Sequence, residues 1–209
     1  MKELEPIVFV VDDDDALCRG VERLLRSVGL NVKTFVSAQE FRRHPPPAGP
    51  ACLVLDLRMS GISGLELQQE LLTAGHGLPV IFLTGYGTVP LSVRALKTGA
   101  ADFLQKPVEE QVLLDAIHRA LEQDRQTKAQ AAERLRLRRL AETLTLRERD
   151  VFSLVVTGLA NKEIAAILGT SEKTVKIHRG RVMQKMQASS LAHLVRMADQ
   201  LGPLTSKST

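Results

Sequence analysis

Tryptophan is absent from the 209-residue chain, tyrosine occurs once, and aromatic residues make up 3% of it. So few flat rings argue against recognition of single-stranded nucleic acid by base stacking, which needs aromatic platforms. Cysteine is also scarce: Cys18 and Cys52 both fall inside apolar segments and read as reduced, buried thiols rather than a disulfide or a metal site. No apolar run approaches the roughly 20 residues that span a bilayer. The first residues, Met-Lys-Glu-Leu-Glu-Pro, lack an apolar signal core, so the chain is expected in the cytoplasm with no membrane partner.

What is present is ordinary in amount and uneven in placement. Hydrophobic residues at 44% and charged residues at 25% describe a globular protein, and the length suits one large domain or two small ones. Residues 1–121 hold 12 Lys and Arg against 15 Asp and Glu, a net of −3; residues 122–209 hold 16 against 9, a net of +7, and together these give the overall +4. A basic module for a polyanion beside an acidic module with another task accounts for that split.

The first 121 residues alternate two periods. Short β-branched or apolar runs at 7–11, 31–35, 52–55, 80–83 and 102–104 are separated by helical patterns at 16–28, 38–43, 65–73, 89–97 and 109–121. Five such units predict a doubly wound α/β fold, a parallel five-stranded sheet covered on both faces. Ser63 and Glu66 have capping-box spacing at one helix start, and the Pro-rich stretch 44–50 is a surface connection. Residues 122–140 contain no Gly or Pro and are rich in helix formers, which predicts a helical linker; Leu135, Leu137 and Leu140 are too few for a coiled coil. From Thr145 onward the pattern is all-α and short. Thr145 and Glu148 form a second capping box, Gly158 suits a left-handed helix end, Gly169 permits a tight turn, and Asn161, Ser171 and Ser189 or Ser190 read as helix caps. The last helix is expected to close at Gly202-Pro203, followed by a disordered tail.

In an open α/β sheet the ligand site lies beyond the carboxyl ends of the strands. Here those ends carry Asp12-Asp13-Asp14-Asp15, Asp56, Thr84 and Lys106. Clustered carboxylates repel one another unless a hard divalent cation or a lysine sits among them, and Mg²⁺ suits a site of one or two carboxylates, a carbonyl and waters. A carboxylate flanked by Mg²⁺, a Lys and a hydroxyl is equipped to accept a phosphoryl group. Each element alone has a bland explanation, a helix cap or a solvated turn; their arrival at four strand ends of one array is far more specific.

The series Val10-Val11-Asp12-Asp13-Asp14, Leu55-Asp56-Leu57-Arg58-Met59, Leu83-Thr84-Gly85 and Phe103-Leu104-Gln105-Lys106-Pro107 resembles the receiver domain of two-component response regulators, over residues 6–121. The resemblance implies a flavodoxin-like strand order and Asp56 as the phosphorylated residue. It implies Asp12, Asp13, Asp56 and the Arg58 carbonyl as Mg²⁺ ligands. Thr84 and Phe103 would be the switch pair, Lys106 the phosphoryl contact, and the Lys106-Pro107 bond is often cis in this family. Three departures stand out. Ser60 replaces the usual Pro, which predicts a looser loop; Tyr86 and Thr88 replace the common His and Asp; and the extra acid at Asp15 clouds the register.

Residues 138–203, above all Gly158-Leu159-Ala160-Asn161-Lys162-Glu163-Ile164-Ala165 and Leu168-Gly169-Thr170-Ser171, resemble the LuxR-type helix-turn-helix. Together the halves resemble the FixJ/NarL family, and the helical linker is most like that of StyR-type regulators. The residues read alone agree: Ile164, Ala165, Leu168, Val175, Val182 and Met186 form an apolar stripe, and the opposite face is basic. A recognition helix over 172–187 would enter the major groove by its first half. Lys176 can donate to a guanine edge and Ile177 can touch a thymine methyl. Lys162, Thr170, Ser171, Thr174, Arg179 and Lys185 suit phosphates, and Arg181 suits either task. Gly180 costs such a helix roughly 0.5–1 kcal/mol against Ala, and His178 has no partner ligand at helical spacing.

The expected architecture is therefore a receiver at 6–121, a helical linker at 122–140 and a DNA-binding domain at 141–204. The expected role is that of a non-enzymatic regulator: a sensor histidine kinase phosphorylates Asp56, and a homodimer then binds an inverted-repeat operator, with RNA polymerase as a further partner. A phosphoaspartyl enzyme is the rival reading; it leaves the basic half unexplained, and sustained turnover of a phosphorylated metabolite would favour it. A phosphorylation-independent adaptor is the third, favoured if beryllofluoride leaves DNA affinity unchanged.

Overall fold

The computed structural model describes residues 4–75, 77–85 and 89–202; within the fourth helix the side chains of residues 89–91 and 94 are not described. Tyr86, Thr88, Pro203 and the expected tail lie outside the described residues. The chain divides into two compact units, residues 1–128 and 129–209.

The first unit carries five parallel strands: β1 (Ile7–Val11), β2 (Asn31–Phe35), β3 (Ala51–Leu55), β4 (Val80–Thr84) and β5 (Asp102–Gln105). They lie in the order β2-β1-β3-β4-β5, the flavodoxin-like order. The central strands β3 and β4 are buried along their whole length, as continuous apolar runs in a doubly covered sheet must be. One face packs against α1 (Asp15–Ser27) and the start of α5 (Glu110–Glu142), through residues such as Leu25, Cys52, Ile81, Leu113 and Ile117. The other packs against α2 (Ala38–Arg42), α3 (Gly64–Thr73) and α4 (Val89–Lys97), around Phe9, Leu53, Leu67 and Phe82.

Most local signals act as expected. Ser63 and Glu66 form the capping box that starts α3, and Thr145 and Glu148 form the one that starts α6 (Leu146–Val155). Gly169 adopts φ +62° and ψ +42°, which ends α7 (Asn161–Leu168). Ser171 caps α8 (Glu172–Lys185) and Ser190 caps α9 (Leu191–Leu201). One cap is corrected: Asn161 is already helical, and the residue before α7 is Ala160, whose amide is accepted by the Glu163 carboxylate at 2.7 Å. The helix expected to read DNA over 172–187 ends at Lys185, because Gln187 takes a left-handed φ of +55°.

Helix α5 runs through the expected linker without a break. Its early part belongs to the first unit: Asp124 is 3% exposed, accepts the Ala51 amide at 2.7 Å and pairs with Lys128 at 2.8 Å. Lys128 also donates to the Pro47 and Gly49 carbonyls at 3.3 and 2.6 Å. Its end belongs to the second unit, where Leu137 and Ala141 join Val151, Phe152, Ile164, Val175, Val182 and Leu194 in one apolar core.

Candidate functional site

Strand register brings the acidic residues together. Val11 of β1 lies opposite Leu55 of β3, so Asp12 and Asp56, the next residue on each, stand side by side where the strand order reverses. Thr84, buried at the end of β4, pairs with Gln105 of β5, and the Lys106 amide donates to the Thr84 carbonyl at 2.9 Å. The Lys106-Pro107 bond is cis.

The four consecutive aspartates separate by task. Asp12 is 2% exposed; its carboxylate accepts the Asp14 amide at 2.9 Å and the Lys106 ammonium at 2.6 Å. Asp13 is exposed and accepts the Ser60 amide at 2.9 Å. Asp14 is the α1 cap, taking the amides of Ala16 and Leu17. Asp15 lies inside α1 and pairs with Arg19. The pocket thus takes the first two, directly after the strand, and the fourth no longer clouds the register.

Asp56 completes the pocket. Its Oδ2 lies 3.2 Å from Lys106, and its Oδ1 accepts the Arg58 amide at 3.3 Å. Carboxylate oxygens of Asp12, Asp13 and Asp56 all lie within 4.8 Å of one another. Burial raises the Asp12 pKa, with Asp56 adding repulsion, while Lys106 and the Asp14 amide oppose the rise. Burial disfavours the charged form of Lys106, but its bonds to Asp12 and Asp56 outweigh this and raise its pKa. Three carboxylates gathered at one point, two of them bonded to Lys106, form a set that fits Mg²⁺, which takes oxygen ligands and keeps several waters. Phe103, the expected switch residue, is half-buried, with its ring 6.2 Å from that of Phe82.

In the second unit α7, the turn at Gly169 and α8 form the helix-turn-helix. Val175, Val182 and Met186 face the core, as the 3.6-residue period requires. Lys173, Lys176, Ile177, Gly180 and Arg181 are exposed on the remaining surface, and Lys162 is exposed on α7. A Cβ added at Gly180 would meet no atom within 4 Å, so no packing within the unit requires glycine there. Ser171 and Thr174 share a hydroxyl contact at 2.9 Å beside the half-buried Thr170. Two expected phosphate contacts have partners inside the unit. Arg179 donates to the Asn161 side chain at 3.1 Å, and Lys185 to Glu148 at 2.6 Å and the Thr143 carbonyl at 3.0 Å.

Two family models match the chain: the response regulator receiver domain over residues 8–118, and the bacterial regulatory proteins of the luxR family over residues 142–198. Nodulation protein W of Bradyrhizobium diazoefficiens is 50% identical over 94% of the chain and 86% of that protein. The transcriptional regulatory protein FixJ of Azorhizobium caulinodans is 46% identical over 91% of the chain and 90% of that protein. Among solved structures, the response regulator StyR superposes with a TM-score of 0.84 at 46% identity, covering 94% of this chain and all of that one. The chain belongs to the two-component response regulators. Its relatives are FixJ-like and StyR/TodT-type, and they include named transcriptional regulators. Among the described residues of the regulator, no helix is long and apolar enough to cross a membrane.

Three features of the regulator's site were not read from its sequence. A Cβ on Gly64 would fall 2.3 Å from the Asp56 carbonyl oxygen, so α3 approaches the Asp56 backbone at a distance only glycine allows. The loop expected to be loose at Ser60 is tied to Asp13 by its amide. Lys173, exposed in the first turn of α8, adds a cation where the helix would face DNA. The capping-box spacing around Gly64 was legible, but the close approach it enables depends on a contact that local pattern does not carry.

Proposed function

We propose that the regulator accepts a phosphoryl group on Asp56 from a sensor histidine kinase, assembles into a homodimer and binds an inverted-repeat operator. The observation that carries this is the convergence of Asp12, Asp13, Asp56 and Lys106 at the carboxyl ends of β1, β3 and β5. An Asp56 oxygen bonds to phosphorus as the donor's phosphorus–nitrogen bond breaks, and the electron pair stays on the donor nitrogen. Asp12, Asp13, Asp56 and the Arg58 carbonyl would hold Mg²⁺, which supplies positive charge for the transferring oxygens. Lys106 supplies a second cation, and the Thr84 hydroxyl meets a phosphoryl oxygen as Phe103 turns inward. The role is regulatory, in the cytoplasm, with RNA polymerase as a further partner.

The face formed by α4, β5 and α5 supports the dimer: Val93, Leu96 and Val112 there are exposed at 44%, 49% and 43%. A two-fold assembly places two recognition helices about 34–36 Å apart on DNA. Lys176, Ile177 and Arg181 meet base edges, while Lys162, Thr170, Ser171, Thr174, Lys173 and Arg179 hold phosphates. The modules are those expected at 6–121 and 141–204, the first extended along α5 to Lys128 and the second drawn back to include Leu137.

Acetyl phosphate with Mg²⁺ tests the reading. It should label the wild type and increase binding to an inverted-repeat duplex, whereas Asp56→Asn should show neither effect, because an amide is a poor nucleophile. Equal labelling of both proteins would remove Asp56 from the role.

A further inference from the structure

We propose that the Ser60 backbone amide is a positioning group for the divalent cation: it holds Asp13 in its ligating orientation before the ion arrives. This rests on the reading of Asp13 as a Mg²⁺ ligand. Of the three pocket carboxylates, Asp12 is fixed by burial and by Lys106, and Asp56 by Lys106 and the Arg58 amide. Asp13 is exposed, and the bond in which its Oδ2 accepts the Ser60 amide ties it to the far side of the pocket. Without that bond the exposed carboxylate would sample solvent-facing rotamers, and cation binding would carry the cost of ordering it.

A carboxylate has two oxygens and about four lone-pair sites. Oδ2 can keep the amide while an oxygen of Asp13 still reaches the cation, so the amide orients the ligand without displacing the ion. The same bond joins the β1–α1 connection to the loop carrying Arg58, two residues before Ser60. The contact therefore fixes two parts of the proposed coordination set relative to one another. A bond to an ionised acceptor is also among the stronger hydrogen bonds. The group concerned is a main-chain donor, so side-chain identity at position 60 matters only through whether an N–H is present. Proline removes it, and it is also the residue the receiver family usually carries here, which makes it a sterically reasonable replacement.

Calorimetric titration of the full chain with Mg²⁺ alone, without phosphoryl donor or DNA, tests this. Ser60→Ala keeps the amide and should bind as the wild type does; Ser60→Pro should bind about three- to tenfold more weakly, the range expected when one side chain must be ordered on binding. Thermal unfolding of the three metal-free proteins establishes that each is folded. In the wild type, the Ser60 amide should exchange slowly with solvent both with and without Mg²⁺. Equal Mg²⁺ affinity in Ser60→Ala and Ser60→Pro, or tighter binding by Ser60→Pro, overturns the proposal and leaves the metal site standing. So does rapid exchange of the Ser60 amide in the metal-free wild type, a measurement that needs no variant to fold. Failure of the wild type itself to take up Mg²⁺ overturns both the proposal and the metal-site reading beneath it.

Discussion

The Lys185 ammonium, at the last residue of the recognition helix, lies 2.6 Å from the carboxylate of Glu148, a side chain 3% exposed at the start of α6. The pair bolts the end of α8 to the first turn of α6, and the same Glu148 accepts the Thr145 amide at 2.9 Å. A lysine that sequence assigns to a DNA phosphate is thus engaged within the unit. Lys185→Ala should destabilise the DNA-binding unit by about 1–3 kcal/mol, the cost of leaving a buried charged acceptor short of a donor. Chemical denaturation checks this; an unchanged midpoint together with a shallower salt dependence of DNA binding would return Lys185 to the phosphates.

The same pair predicts a pH dependence. The Lys185 bond, and then the Thr145 amide, lower the Glu148 pKa to about 2. A carboxylate whose folded pKa is depressed contributes stability that is present above its unfolded value near 4.5 and lost as pH falls towards 2. Wild-type stability should therefore decline through that window, and Glu148→Gln should flatten the decline. Parallel acid-unfolding curves would contradict the assignment.

Lys176 is exposed in the first half of α8. Lys176→Ala should cost about 1–3 kcal/mol on the best operator and less on scrambled duplexes, whereas Lys162→Ala should weaken both alike and lower the salt slope by about one unit. Binding on both duplexes at several salt concentrations separates the two. Uniform loss on every sequence in Lys176→Ala would move that residue to the phosphates.

Gly64→Ala should damage the acidic pocket, although position 64 holds no chemical group. The added Cβ would strike the Asp56 backbone, which cannot swing aside as a flexible side chain could. Overpacking of this kind costs about 1–3 kcal/mol, and labelling by acetyl phosphate should slow as well. Wild-type labelling and stability in this variant would show that the loop yields freely.

Burial pushes the Cys18 thiol up to about 11 and the Cys52 thiol to about 12. Since the thiolate is the reactive form, neither should react with a disulfide reagent at neutral pH until the protein unfolds. Fast stoichiometric modification of the native chain would contradict this.

The periodic parts of this molecule were legible from sequence for a physical reason. Strand and helix runs, the Ser63 and Thr145 caps, and Gly169 are decided by neighbours within four residues. The pocket was legible too, because a doubly wound sheet sends strand ends to one edge, so Asp12, Asp56, Thr84 and Lys106 had to converge. What escaped depends on partners far along the chain. Lys185 looks like a surface cation until Glu148, 37 residues earlier, is placed beside it. Asp124 looks like one more acid in a solvated helix until the Ala51 amide is found against it. Among the four successive aspartates the sequence already favoured Asp12 and Asp13, directly after the strand, and the turn into α1 claims Asp14 as its cap.

The Asp124 contact bears on where this protein can be cut and rejoined. A receiver excised at residue 121, where the fifth βα unit ends in sequence, would lack the acceptor for the buried Ala51 amide and the cation bound to the Pro47 and Gly49 carbonyls. An amide orphaned in that way costs about 1–3 kcal/mol, and it sits at the first residue of the strand that delivers Asp56. A chimera that keeps the sensing half intact should therefore carry the helix as far as Lys128, about two turns beyond the apparent end. The portable unit is the sheet together with those two turns.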